Sequence, residues 1–355
     1  MKEIIVQASH DTGACYGVSK CAEIIFQKGK MVRGEGLQVL EERMETMNPD
    51  ENDIYKFLGI EQADGIKTKA VYERVKDEVT KRAKMLTKTE LNDSNLIKAI
   101  NMKVVPVATY AMNVCRFTLA ELKELDQIIK KELREKNMLG RQASDERLYL
   151  KRKKGGRGLK SLRDAYKETR LRVACYMAKS NNRWIRAAWR REENKEENAV
   201  VMESISAMNE VGVRLRFEGN LIRLDNEIID EEIDYKVTWR KVKNRLQKAT
   251  EFKRIETYKT KEQQSQVYQA QEEECHVWLN QNLHGRKTSS IMMMLEQMVE
   301  TRAWKVARGL AQEKKCRVCN ENDETVEHLV AGCKALANNE YLSRHNRALM
   351  IVAVA

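Results

Sequence analysis

Proline is nearly missing from this chain, with only Pro49 and Pro106, and glycine is scarce at 16. Helices can therefore run long before a missing amide donor or a loose backbone interrupts them. Aromatic residues make up 6%, which argues against an all-β sandwich. No apolar run has membrane-spanning length; the most apolar stretch, 104–114, is short and contains Pro106 and Asn113. The first residues carry no apolar core of signal-peptide length, and the eight cysteines lack the dense spacing of a disulfide framework. These absences point to an intracellular protein, nuclear or cytoplasmic, in a reducing compartment and with no membrane partner. An adjacent pair of aspartates occurs nowhere in the sequence.

What is present reads as globular and helix-rich. Of 355 residues, 42% are hydrophobic and 33% charged, enough for two or three units with cores of their own. The net charge is +12, and its placement is more informative than its size. Residues 147–191 hold 16 Lys/Arg against two acids, Asp164 and Glu168, so this stretch carries the whole excess. Such a concentration points to a polyanion partner rather than to general solubility.

The expected fold class is mainly α. Residues 1–62 read as short strands and turns, with β-prone runs at 21–26 and 54–60. From Ile66 the period turns helical, with Ala70, Val75, Val79, Ala83 and Leu86 on one stripe. A second helix is expected from near Asp93, with Leu96, Ile97, Ile100 and Val104 inward, ending or bending near Pro106. Thr118 and Glu121 form a capping box ahead of the stripe Leu122, Leu125, Ile129, Leu133. The three helices form a small bundle. After a basic, glycine-bearing loop the pattern predicts one long basic helix over 162–189, a charged helical region over 191–275, and a Met-rich amphipathic helix over 290–310.

The strongest chemical signal is Cys316-x2-Cys319-x8-His328-x4-Cys333. Three thiolates and one imidazole suit tetrahedral zinc, and sulfur donors exclude calcium and magnesium. The alternative is four buried or incidental residues. The intervening loop is acidic, with Glu321, Asp323, Glu324 and Glu327, a poor phosphate clamp, so the zinc is expected to be structural. Lys314, Lys315 and Lys334 lie on its rim.

The second signal is Arg147-Leu-Tyr-Leu-Lys-Arg-Lys-Lys-Gly-Gly-Arg-Gly-Leu-Lys160. Its glycines would let backbone amides approach a phosphate while Arg147, Lys151, Arg152, Lys153, Lys154, Arg157 and Lys160 supply charge. Arg163 and Arg170 extend that charge into the next helix, as do Arg172, Lys179, Arg183, Arg186 and Arg190. The alternatives are a solvated loop or a nuclear-import patch at Lys151, Arg152, Lys153 and Lys154. Trp184 and Trp189 are placed either to stack on bases or, at helical spacing, to fill a core. His284 reads as a loop or cap residue, and His276 beside Cys275 lacks partners at ligand spacing.

Taken in order, these motifs resemble the reverse transcriptase polyprotein of non-LTR retrotransposons, in the branch with a C-terminal zinc knuckle and restriction-like endonuclease. Gly17-Val-Ser-Lys20-Cys-Ala22 resembles the palm segment after the catalytic aspartate box. Tyr55-Lys56-Phe57-Leu58-Gly59-Ile60 is similar to the primer grip, with Phe57 where the family usually has Tyr. Tyr110 and Glu121-Leu-Lys-Glu-Leu-Asp126 resemble the thumb, and 145–159 the linker signature; the knuckle match continues through Glu324-Thr-Val-Glu-His328 to 340–346.

The resemblance implies a palm remnant with primer-grip strand over 1–62, a helical thumb bundle over 63–140, a basic helical linker over 141–310, a CCHC zinc knuckle over 311–346 and a tail over 347–355. It also implies a truncated product that binds RNA or RNA–DNA template–primer through Lys56 and the basic residues above. The family's magnesium ions sit on palm aspartates, and no such pair occurs here, so magnesium belongs only to the intact polymerase. Lys20 is then a vestigial palm lysine and no residue is expected to be catalytic. No small-molecule substrate is expected. The rival expectations are a domesticated zinc-knuckle protein-interaction module and a fragment of an active polymerase whose palm lies upstream.

Overall fold

The structure, a computed structural model, describes residues 7, 10–13, 22–28, 30–32, 34, 38–39, 42–43, 45–46, 54–63, 65–193, 199–229 and 234–354. It is mainly helical. Lys20 and most of the segment around it lie outside the described residues. Among the described residues the N-terminal strands form two-stranded pairs: β1 (Ala22–Glu23) with β6 (Glu45–Thr46), β2 (Ile25–Gln27) with β3 (Lys30–Val32), and β4 (Gln38–Val39) with β5 (Glu42–Arg43). β7 (Tyr55–Phe57) and β8 (Ile60–Gln62) make a hairpin around Leu58 and Gly59, whose φ values are 48° and 78°. A left-handed leucine is unfavourable. Here the Tyr110 hydroxyl donates to the Leu58 carbonyl at 2.5 Å and Arg74 donates to that of Gly59.

The helical period then takes over as the stripes require. α1 (Thr68–Leu86) buries Val71, Tyr72, Val75, Val79 and Ala83. α2 (Asp93–Lys103) starts on Asn92, whose side chain accepts from the Asn95 amide. α3 (Val105–Met112) carries Pro106 in its first turn, where a missing amide donor costs nothing. α4 (Leu119–Glu135) opens on the Thr118–Glu121 capping box, both halves of which are formed. These helices, α5 (Asp145–Tyr149) and the first turns of α6 (Leu162–Lys179) share one core running from Ile60 to Tyr166. Asp126 of α4 caps α6 from outside: its carboxylate accepts from the Leu162 amide at 2.8 Å and the Ser161 hydroxyl at 2.9 Å.

The second half of α6 enters a different core with α7 (Arg183–Glu193), α8 (Val200–Asn209), the strands β9 (Leu215–Glu218), β10 (Leu221–Leu224) and β11 (Glu227–Ile229), and α9 (Tyr235–Lys259). Three sequence expectations change here. The single basic helix over 162–189 is two helices, because the Asn182 side chain accepts from the Trp184 amide at 2.9 Å and starts a new one. The region over 191–275 is not wholly helical: β9, β10 and β11 form an antiparallel meander. The Met-rich helix over 290–310 is also broken, into α11 (Gly285–Leu295) and α12 (Arg302–Val306), following α10 (Glu262–Gln269). Gln297 between them has φ 54°, and the Thr301 side chain caps α12. α13 (Leu342–Val354) closes the described chain. No helix among the described residues is long and apolar enough to cross a membrane.

One buried ion cluster joins the basic loop to the bundle. Asp93, at the start of α2, is 1% exposed and Arg157 is 2% exposed. The Arg157 guanidinium donates to the Asp93 carboxylate and, at 2.5 Å, to the Met138 carbonyl. Arg152 donates to the other Asp93 oxygen at 2.5 Å and to the Leu279 carbonyl. Removing one member of a buried pair leaves an unpaired charge. Asp93→Ala is therefore expected to lower unfolding free energy by about 3–5 kcal/mol, read as a shifted midpoint in urea.

Glu296 offers a second test. Burial pushes its carboxyl up from the usual 4.5 to about 7, against the Ser144 amide that donates to it at 3.0 Å and the nearby Arg147 charge. The folded chain thus holds a proton that the unfolded chain releases. This contribution is full below about pH 4.5 and is lost as pH rises through about 7. Glu296→Gln should stabilise the protein at neutral pH and flatten that part of the stability–pH curve, measured by urea unfolding across the window.

Candidate metal centre and basic surface

Cys316, Cys319, His328 and Cys333 converge near the C-terminus. Their four donor atoms all lie within 4.8 Å of one another, and the cluster can hold a metal ion, compatible with structural zinc. Cys316 and Cys333 are fully buried, and the Cys319 sulfur is 3.3 Å from Nε2 of His328. The tight turn between the first two cysteines is set by backbone bonds. The Asn320 amide donates to the Cys316 carbonyl at 2.8 Å, and Asn320 itself adopts φ 55°, a conformation asparagine tolerates. The Val318 amide points at the Cys316 sulfur at 3.4 Å. Backbone amides of Asn322 and Glu321, with smaller help from His328, pull the Cys319 thiol down to about 6. A thiolate is the form that ligates a metal.

Two side chains outside the four hold this arrangement, and sequence reasoning missed both. Glu324 was read as part of an acidic loop, yet it is fully buried. Its carboxylate accepts from the Arg317 amide at 3.0 Å, from the Arg317 guanidinium at 2.6 Å and 2.8 Å, and from the Arg302 amide at 3.0 Å. The Arg317 guanidinium holds its carboxyl down to about 2. Glu324 thus ties the knuckle to the first turn of α12. The Tyr341 hydroxyl accepts from the Cys333 amide at 3.0 Å and lies 3.1 Å from the His328 carbonyl. Both lie in blocks that resemble the family's knuckle, Glu324 in 324–328 and Tyr341 in 340–346, but nothing in their spacing showed what either side chain holds.

The basic region divides by burial. Arg147 is 1% exposed, donates to the Gly155 carbonyl at 2.8 Å and lies over the Tyr268 ring, 5.5 Å from its centroid. Arg152 and Arg157 belong to the Asp93 cluster, and Arg170 is buried against Glu203 at 2.6 Å. Arg147, Arg157 and Arg170 are buried and Arg152 is half-buried, and all four guanidinia are turned to partners inside the protein, which leaves them poorly placed for the phosphate contact expected of them. The glycines are also used differently from expectation. The amides of Gly155, Gly156, Arg157 and Gly158 donate to the carbonyls of Arg152, Lys151, Arg147 and Leu150, so none is left to cradle a phosphate. Gly156 sits where a Cβ would run into the Leu150 carbonyl, so glycine permits the chain to fold back on itself.

Other cations are paired at the surface: Lys151 with Glu251 at 2.6 Å, Lys154 with Glu273, and Arg163 with Glu210 at 2.9 Å. Such pairs are weak and exchangeable. Lys56 on β7, Lys153 and Lys160 are exposed. On α7 the residues Arg183, Arg186, Arg190 and Arg191 are all exposed, and none of them forms an ion pair among the described residues. Trp184 is 70% exposed with the Arg183 guanidinium 4.4 Å from its ring centroid, whereas Trp189 is 3% exposed and packs edge-on against Phe217. The two indoles therefore divide, one outside and one in the core. His276 is buried and stacked on Tyr268, and His284 caps α11 by accepting from the Arg286 amide.

No protein-family model matches this chain, and no curated protein matches it.

The metal centre can be probed directly. Cobalt(II) added to metal-free protein is expected to give thiolate charge-transfer and tetrahedral d–d absorption, and Cys316→Ser to abolish it. Glu324→Gln should weaken uptake by roughly tenfold or more, because it loosens the ligand turn rather than a ligand. Absence of these bands in the unaltered chain would show that the four donors do not close on a metal.

Proposed function

We propose that this chain is a nucleic-acid-binding segment of a non-LTR retrotransposon reverse transcriptase, gripping RNA or an RNA–DNA template–primer beside its thumb-like bundle. The observation that carries the reading is the outer face of α7. Arg183, Arg186 and Arg190 recur at helical spacing on an exposed helix, Arg191 flanks them, and an exposed Trp184 stands among them. Unpaired guanidinia release counterions when they meet phosphates, and an exposed indole offers a sequence-tolerant stacking platform. Lys153, Lys160 and Arg172, also exposed, add charge on the loop and on α6. The Cys/His cluster serves the same reading as a structural zinc staple that keeps the C-terminal segment folded. The activity proposed is binding; the two-metal nucleotidyl transfer of the family needs palm aspartates that this sequence does not supply as an adjacent pair.

Binding that neutralises about four phosphates should weaken about 10²-fold between 50 and 200 mM salt. Fluorescence anisotropy with a labelled RNA hairpin and an RNA–DNA hybrid measures this. The combined variant Arg183→Glu, Arg186→Glu, Arg190→Glu is expected to bind at least about tenfold more weakly and to lower the salt slope by about three, with its melting temperature unchanged because all three side chains are on the surface. A flat salt response, or a variant that binds like the parent, overturns the reading.

A further inference from the structure

A cleft of about 420 Å³ lies between three parts of the fold. Its walls are the α2–α3 junction, the basic loop running into α6, and one face of α9, with Asn101, Pro106, Lys160, Arg172, Trp239 and Lys243 among the lining. The volume is within the range of sites that enclose a small organic ligand. Its walls are tied to each other: Asn101 donates to the Gly158 carbonyl and accepts from the Lys160 amide, both at 2.8 Å, and Arg254 of α9 pairs with Asp164 of α6 at 2.6 Å.

The charges in this cleft do not cancel. Of its three carboxylates, Asp164 is paired with Arg254 and Glu251 with Lys151 at 2.6 Å, while Glu168 has its charge unpaired and accepts only from the neutral Gln247 amide at 2.6 Å. Among the cations, Lys167 is paired with Glu210 at 2.5 Å. Lys160 and Lys243 form no ion pair among the described residues, and Arg172 bonds only the neutral Asn113, at 2.5 Å. Three cations without carboxylates, against one carboxylate without a cation, therefore stand beside an apolar strip of Val105, Pro106, Leu159 and Leu246 with the half-buried Trp239, in a lining that also holds the neutral polar Thr109, Thr169 and Thr250. A ligand complementary to this lining has one anionic group and one flat apolar ring. That is the chemistry of a single nucleotide.

We infer that this cleft captures one unpaired nucleotide, its phosphate on Lys160, Arg172 and Lys243 and its base against Trp239 and Pro106. The inference rests on the nucleic-acid reading above and adds that the chain distinguishes an extruded nucleotide from a fully paired stem. Cation and ring contacts would be made in a half-enclosed site where water competes poorly, unlike those on the open face of α7.

The full chain is titrated with two labelled RNA stems, one fully paired and one carrying a single bulged adenosine, with AMP as competitor. The bulged stem is expected to bind about tenfold more tightly, the worth of one stacked base. Lys243→Glu and Trp239→Ala should erase that preference while the paired stem binds within about twofold of the parent, the surface contacts being untouched. Lys243→Gln, at a side chain outside both α7 and the basic loop, gives the same reading if a Trp239 variant is unstable. Displacement of the bulged stem's extra affinity by AMP assigns the cleft to free mononucleotides as well; no displacement assigns it to a nucleotide within a strand. Equal affinity for the two stems, or a preference that survives both Lys243→Glu and Lys243→Gln, overturns the cleft while leaving α7 as the binding face. If neither stem binds at low salt, the nucleic-acid reading falls and the cleft's nucleotide with it.

Discussion

The carboxylate of Asp93 holds the basic loop against the helical bundle, and much else in the molecule is arranged around that contact. Three charges leave water together, a step whose desolvation cost is recovered only if the geometry is good and the remaining donors find acceptors. They do: Arg157 reaches the Met138 carbonyl and Arg152 reaches that of Leu279, so the cluster joins α2, the end of α4, the loop and the segment before α11. The Asp93 amide donates to the Leu283 carbonyl at 2.8 Å, which brings that last segment to the same point. Once the loop is held there, its own backbone pairs internally, the glycines fit their close approaches, and α6 leaves in a fixed direction with Asp126 capping it.

That constraint explains why a run of positive charge does not translate directly into a positive surface. A guanidinium can occupy the interior where a carboxylate and carbonyls complete its bonding, because its fork matches both. Arg152, Arg157 and Arg170 are used this way, and Arg147 lies beneath Tyr268. The charge that no acid reaches stays at the surface: Lys153 and Lys160 on the loop, Arg172 on α6 and the arginines of α7. Aromatic residues are sorted in parallel, since Trp189 fills the second core and Trp184 stands out in water.

The Cys/His centre depends on a separate set of local bonds, and it was legible because its ligands are close in sequence and must be certain residue types. The helical stripes of α1, α2 and α4 and the Thr118–Glu121 cap were legible for the same reason: periodicity and capping act within a few residues. Short-range rules failed where a local choice competed with a longer pattern. Asn182 started a new helix where periodicity would have continued the old one, and the meander of β9, β10 and β11 was hidden in a charged stretch although Gly219-Asn220 and Asp225-Asn226 mark its turns. Glu324 looked like one acid among several until burial set it apart.

The sequence by itself determined the apolar stripes of α1, α2 and α4, the capped start of α4, which four residues gather as possible metal ligands, and where in the chain positive charge is concentrated. Tertiary structure alone decided which of those charges face water. The acid that neutralises Arg157 is 64 residues away and the one facing Lys154 is 119 residues away, and Coulomb attraction acts through space, so charge read along the chain is blind to partners that only folding brings near.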